Sequence, residues 1–234
     1  QNISEKDLQN AQNSISHFKY KFVHSTYKIN IGSDFLIDNK DVFYNTSFEL
    51  LLKEIKYSYL IGADGIILHM GKNVQKRYDN DVIYNNMIFF VLQLFSSKVV
   101  KKDFLIIFET SAGQRGELCY ELIDFINFIK SFENHNFYNN IGVCIDTCHI
   151  FQAGYDLNKI KVINKIHELF SQIEDKIKLI HLNDSYHDVG KRIDKHQDIG
   201  EGFIDTKKLK QFIVEYKDVP MILETPNIFS SVEN

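Results

Sequence analysis

The stretch IGVCIDT, residues 141–147, decides the fold. From Ile141 to Ile145 it shows no polar alternation, which is the pattern of a parallel strand buried on both faces. The run then stops at an acid, Asp146, and an imidazole, His149, follows three positions later. An isolated carboxylate is costly to bury, so an acid at the end of such a strand is paired, solvated or bound to a metal ion.

Similar runs recur along the chain: FKYKFVH (18–24), GIILHM (65–70), FLIIFET (104–110), IKLIHLN (177–183) and VPMILET (219–225). Between them lie segments with apolar residues at three- and four-residue spacing, the period of a helix buried on one face. Ser47 reads as the N-cap and Gly62 as the stop of one such helix. Leu118, Leu122, Phe125 and Ile129 share a stripe of another, within 116–132. The segments 158–173 and 205–216 behave alike, and Leu8, Ala11, Ile15 and Phe18 line one face of the opening segment. Strands alternating with helices predict βαβ units and a parallel sheet. Six units are visible, whereas a closed (β/α)8 TIM barrel has eight. The expectation is one TIM-barrel domain over residues 1–234, with six of its eight βα units in view.

Composition narrows the function. A net charge of −4 and a pI near 6.1 give no global pull toward nucleic acid, so any DNA contact must be local or carried by bound cations. Cys119, Cys144 and Cys148 are too few for a disulfide framework, and Cys144 and Cys148 read as packing residues rather than a metal or redox pair. The longest apolar stretch, MIFFVLQLF (87–95), falls well short of the roughly 20 residues of a membrane span, and no signal peptide is evident. An intracellular, non-secreted, membrane-free protein is expected.

The ionisable residues carry the chemistry. Each apolar run ends in a side chain that can bind a metal: His24, His69, Glu109, Asp146, His181 and Glu224, spaced 35 to 45 residues apart. In a β/α barrel all strand C-termini converge on one face, where active sites lie. His149 sits just past Asp146, and Asp194 and His196, at i and i+2, fall on one side of any extended segment. Nine candidates result, five imidazoles and four carboxylates. At about four shared ligands per zinc they supply two or three ions. The mixture suits zinc, with manganese or iron as alternatives at one position. Taken singly each residue has an ordinary reading: a core histidine, a helix cap at Asp146, an ion-paired Glu224, a solvated loop at Asp194–His196. The joint pattern favours a metal centre. His17, His135, His167 and His187 fall in helix or surface patterns and stand apart.

GVCIDTCHIFQAGYD (142–156), IHLNDS (180–185), GKRIDKHQDIGEG (190–202), FETSAGQ (108–114) and ILET (222–225) together resemble the endonuclease IV family of apurinic/apyrimidinic (AP) endonucleases. The similarity runs in order from His24 to Glu224, and by it the chain lacks the family's first one or two βα units and its last helix. It implies a (β/α)8 barrel with three zinc ions that incises double-stranded DNA on the 5′ side of an abasic site, leaving a 3′-hydroxyl, in base excision repair. It assigns His24, His69 and Glu109 to one ion. Glu109 bridges to a second, completed by Asp146, His181 and Glu224, and His149, Asp194 and His196 hold the third. These are the nine residues that the strand rhythm singles out. Glu109 is thereby the expected catalytic residue, Tyr27 a residue that enters the DNA groove, and Lys191 and Arg192 backbone contacts. The family is usually monomeric.

The chain departs from the family pattern at Ser25 (Asp in the family), Met70 (Pro) and Arg115 (Gly), none of them a ligand. Two other readings are a sugar isomerase or epimerase of the related barrel superfamily and a non-catalytic damaged-DNA-binding module. The first needs fewer ligands than His149, Asp194 and His196 provide, and the second predicts a lost ligand.

Overall fold

The computed structural model describes residues 4–34, 36–37, 43–74, 76 and 78–227. Strands β1 (Phe22–His24), β2 (Leu36–Ile37), β3 (Phe43–Tyr44), β4 (Gly65–Leu68), β5 (Leu105–Glu109), β6 (Ile141–Asp146), β7 (Ile177–His181), β8 (Asp184–Ser185), β9 (His196–Gln197) and β10 (Met221–Ile222) alternate with helices. The helices are α1 (Glu5–Ile15), α2 (Thr46–Ile61), α3 (Asn80–Ser96), α4 (Leu122–Lys130), α5 (Thr147–Gln152), α6 (Ile160–Phe170) and α7 (Thr206–Ile213). Six strands form one parallel sheet in the order β1-β4-β5-β6-β7-β10. Pairs β2–β3 and β8–β9 are short antiparallel additions that the apolar pattern does not announce.

The sheet is rolled. Flat, β1 and β7 would lie four strand spacings apart, about 19 Å, yet the rings of His24 and His181 at their ends are 5.9 Å apart. The expected TIM-barrel wall is therefore present over six strands, and among the described residues β1 and β10 do not pair with each other. The segment after Glu224 in which a final helix was looked for includes residues 228–234, which lie outside the described residues.

Strand alternation sorts the core into two layers. Ile67, Ile107, Cys144 and Leu179 point inward as a small apolar plug, joined by Phe22 and Leu105. Ile66, Ile106, Phe108, Val143, Ile145 and Ile180 point outward beneath the helices. There Phe108 meets Phe128 edge to face at 5.2 Å, and Phe128 meets Phe132 at 5.3 Å. Truncating a buried Phe such as Phe128 to Ala would cost about 3–5 kcal/mol.

Local details correct the sequence reading in three places. The cap of α2 is Asn45, whose side chain accepts from the Phe48 N–H, while the Ser47 hydroxyl is taken by the Asn30 N–H. Gly62 does end that helix, in the left-handed region at φ 81. Helix α4 starts only at Leu122, because Gly113, Arg115, Gly116 and Cys119 all adopt positive φ and interrupt the helical path. Leu118 is buried all the same. Phe18 lies beyond the end of α1 and is exposed. All three cysteines are free and buried, in keeping with packing roles. No helix among the described residues is long and apolar enough to cross a membrane.

Candidate metal centre

The period of two that builds the apolar plug also builds the site above it. Two residues after Phe22, Ile67, Ile107, Cys144 and Leu179 come His24, His69, Glu109, Asp146 and His181, so each points inward one layer nearer the C-terminal mouth. Glu224 lies just past the end of β10. The remaining three candidates come from outside the sheet. His149 stands in the first turn of α5, Asp194 lies on the loop joining β8 to β9, and His196 is the first residue of β9.

All nine residues converge. One carboxylate oxygen of Glu109, Oε2, lies 3.2 Å from His24 Nε2 and 3.5 Å from His69 Nε2. Its other oxygen, Oε1, lies 2.7 Å from His181 Nδ1, which also stands 3.0 Å from Glu224 Oε2 and 3.8 Å from Asp146 Oδ2. The third group has Asp194 Oδ1 at 3.1 Å from His149 Nε2 and 3.4 Å from His196 Nε2, with Asp146 Oδ2 3.5 Å from His196. Among the described residues, donor atoms within 4.8 Å of one another form four overlapping sets: His24–Glu109–His181, His69–Glu109–His149, Asp146–His149–His196 and Glu109–Asp146–His181–Glu224.

Hydrogen bonds outside the clusters set which imidazole nitrogen faces in. His24, His149 and His196 donate Nδ1–H to the carbonyls of Ser25, Thr110 and Glu224, at 2.9, 2.8 and 3.2 Å. That tautomer leaves each Nε2 as a lone pair aimed at the centre. The Nε2 atoms of His69, His149 and His196 are buried with no hydrogen bond of good geometry. Lone pairs converging on carboxylates repel unless a cation or proton stands between them. The donor set therefore fits a group of metal ions.

The electrostatics say the same. Burial opposes the Glu109 charge, yet His181 and His69 hold its carboxyl well below the usual range. Burial likewise opposes Asp194, but His149 brings it to about 2. His149 is raised well above the ordinary imidazole value against its own burial, chiefly by Asp146. His69, where burial outweighs Glu109, is lowered. The carboxylates thus demand positive charge, which protons supply when metal does not.

Residues without a role in the sequence reading orient this set. Asp146 caps α5 by accepting the His149 N–H at 2.8 Å, and Thr110 Oγ1 accepts the Asp146 N–H. Asn183 donates to Asp146 Oδ2 at 2.7 Å and accepts the Glu224 N–H at 2.9 Å, tying β6 to β10. Asp184, fully buried, accepts the N–H groups of Ser185, Gly200, Gly202 and Ile204 and so folds the loop after His196. A Cβ at Gly202 would collide with the Ser185 carbonyl oxygen and the Asp184 carboxylate, so only glycine fits there. The signal in the sequence was positional: Thr110 and Asn183 sit one and two residues beyond ligands, and Asp184 precedes a Gly-x-Gly whose N–H groups it gathers.

The expected DNA-contacting residues line the rim. Tyr27 is 70% exposed, with its ring 4.9 Å from that of His69. Lys191 and Arg192 are exposed, and the Arg192 guanidinium lies 4.2 Å over the Tyr120 ring. The four other histidines are elsewhere: His167, for example, bonds the Phe212 carbonyl and stacks on its ring.

A six-stranded parallel wall with imidazole–carboxylate clusters at its mouth defines a TIM-barrel enzyme. Residues 1–231 match the family described as xylose isomerase-like TIM barrel. A Thermosipho africanus protein named Probable endonuclease 4 is 34% identical over 232 residues, covering 95% of this chain and 77% of its own length. The endonuclease IV structure from Thermus thermophilus superposes with a TM-score of 0.75 at 20% identity, covering 100% of this chain and 80% of that one. A D-tagatose 3-epimerase-like protein superposes at 0.70 with 18% identity, over 98% of this chain and 80% of its own, a likeness of fold alone. The chain belongs to the endonuclease IV family of hydrolases within those barrels.

Proposed function

We propose that the chain is a zinc-dependent AP endonuclease of base excision repair. It hydrolyses the phosphodiester 5′ to an abasic site in double-stranded DNA, leaves a 3′-hydroxyl, and also clears blocked 3′ ends. The observation that carries this reading is Glu109, each of whose two oxygens faces a different set of imidazoles. In the proposal His24, His69 and Glu109 hold one ion; Glu109, Asp146, His181 and Glu224 a second; and His149, Asp194 and His196 a third. Three zinc ions there, with manganese or iron as alternatives at one position, would supply a nucleophile at neutral pH, neutralise the phosphate and stabilise the leaving oxygen.

The protein's own part is to fix geometry and admit substrate. Three divalent ions against four carboxylates leave the mouth formally positive, so phosphate is drawn in locally despite the acidic chain. Glu109 keeps two ion sites in register, and Asn183 and Thr110 hold Asp146 against drift. Tyr27, exposed beside His69, is placed to fill the groove while the abasic nucleotide leaves the stack, and Lys191 and Arg192 take backbone phosphates. The chain works as a monomer within the cell, on DNA.

The sugar isomerase reading needs one divalent ion and leaves His149, Asp194 and His196 without purpose. The test is incision of a duplex carrying one abasic-site analogue, with and without a strong chelator, with product ends mapped. Chelator-sensitive incision on the 5′ side with a 3′-hydroxyl is expected. A protein that holds its metal and leaves the duplex intact would sink the assignment.

A further inference from the structure

The third ligand group differs from the others in how it is assembled. One of its two imidazoles, His149, is fixed in the first turn of α5, whereas Asp194 lies on the loop of the β8–β9 hairpin and His196 opens β9. That loop must be held against α5 for the three donors to meet. The side chain that does so is Gln152, three residues after His149 on the same short helix and fully buried.

Gln152 Nε2 lies 2.7 Å from Ser185 Oγ, 2.8 Å from the His187 carbonyl and 3.1 Å from the Asp188 carbonyl, and its two hydrogens are shared among these three acceptors. Its Oε1 accepts the Ile193 N–H at 3.4 Å, immediately before Asp194. The backbone adds to the grip: the Gln152 carbonyl accepts the Arg192 N–H at 3.2 Å, and the Phe151 carbonyl accepts the Gly190 N–H at 3.1 Å. One buried amide therefore touches both arms of the loop, at 185–188 and at 193. At the far end of the same helix, His149 Nε2 stands 3.1 Å from Asp194 Oδ1.

We infer that Gln152 is a positioning residue for the third ion site: its amide sets the distance between His149 and the Asp194–His196 pair. The inference rests on the three-ion reading above. The strand-end groups around Glu109 have no contact with Gln152 among the hydrogen bonds it makes, so its influence falls on one ion of three. Removal of a group that orients a ligand typically weakens metal affinity about 10- to 100-fold.

The experiment is a zinc titration of the metal-stripped chain against a chromophoric competing chelator. It compares wild type, Gln152→Ala, Gln152→Glu and two references, Asp194→Ala and Leu209→Ala. Gln152→Glu keeps the side-chain volume but cannot donate to the His187 and Asp188 carbonyls, so it decides alone if circular dichroism shows Gln152→Ala unfolded. Leu209→Ala opens a packing defect under α7 and reports general destabilisation. The expected result is three ions in wild type, and in both Gln152 variants one ion weakened about 10- to 100-fold with the other two unchanged, as in Asp194→Ala. Three ions bound as tightly as in wild type would overturn the inference, as would a uniform loss matching Leu209→Ala. A wild-type chain that takes up fewer than three ions would overturn the three-ion reading itself, a different and separately visible failure.

Discussion

The mouth of this barrel is built in two ways. His24, His69, Glu109, Asp146 and His181 are extensions of β-strands, each two residues past a side chain of the apolar plug, and their positions follow from the sheet itself. His149, Asp194 and His196 are assembled from a helix turn and the β8–β9 hairpin, and are held together by a few backbone bonds and by buried polar side chains, above all Gln152 and Asp184. The strand-borne half is fixed by backbone ladders with apolar residues packed behind them. The loop-borne half depends on individual hydrogen bonds, each of which can be deleted singly. Glu109, Asp146 and their imidazole neighbours are where the halves meet.

The comparison can be broken at that junction first. Glu109→Ala removes the carboxylate whose two oxygens face different sets of imidazoles, and incision should fall to about one thousandth of wild type or less, measured under single-turnover conditions. A variant with full activity would remove Glu109 from its bridging role. Next, Asp184→Ala leaves four N–H groups of the loop-borne half without their acceptor, those of Ser185 and Ile204 buried. At roughly 1–3 kcal/mol per orphaned group, partly relieved by loop opening, the cost should be about 3–5 kcal/mol. A thermal scan should show a midpoint lower by on the order of 10 °C. An unchanged midpoint would mean the loop is held by something else.

Lys191→Ala tests the rim of the same loop with a smaller effect. Affinity for duplex DNA should weaken without sequence preference, and the slope of log affinity against log salt should become shallower by about one. The mildest probe addresses the strand-borne half. Burial raises the thiols of Cys119, Cys144 and Cys148 to about 12 each, so almost no thiolate exists near neutrality. Folded protein at pH 8 should resist iodoacetamide at all three positions, read by mass spectrometry, while urea-unfolded protein is labelled throughout. Rapid labelling of Cys144 in folded protein would mean the plug beneath the ligands is open.

The same division explains what the sequence disclosed. Strand-borne ligands were legible because a buried parallel strand leaves a continuous apolar run, and an ionisable residue at its end stands out: His69 after Ile67, Glu109 after Ile107. The loop-borne ligands were legible as residue types at short spacing, but their partners were not. Nothing in FQAGYD marks Gln152 as the clamp of a loop more than 30 residues away, because its contacts depend on how α5 and the β8–β9 hairpin pack. Ser47 and Asn45 illustrate the limit at a helix start, where both are good caps and the tertiary bond from Asn30 decides between them. Likewise Leu118 kept its burial but lost its helix, since positive φ at Arg115 and Cys119 is invisible to hydrophobic periodicity.

In the proposed function both halves of the mouth must be metal-filled for the chain to cut DNA. The direct measurement is to strip the protein with chelator, return zinc by fractions of an equivalent, and follow incision on the 5′ side of an abasic-site analogue alongside bound metal. The stripped protein should make no incision, and activity should reach its plateau only as the third equivalent binds. Full incision with the metal removed, or a plateau reached at a single equivalent, would contradict that function.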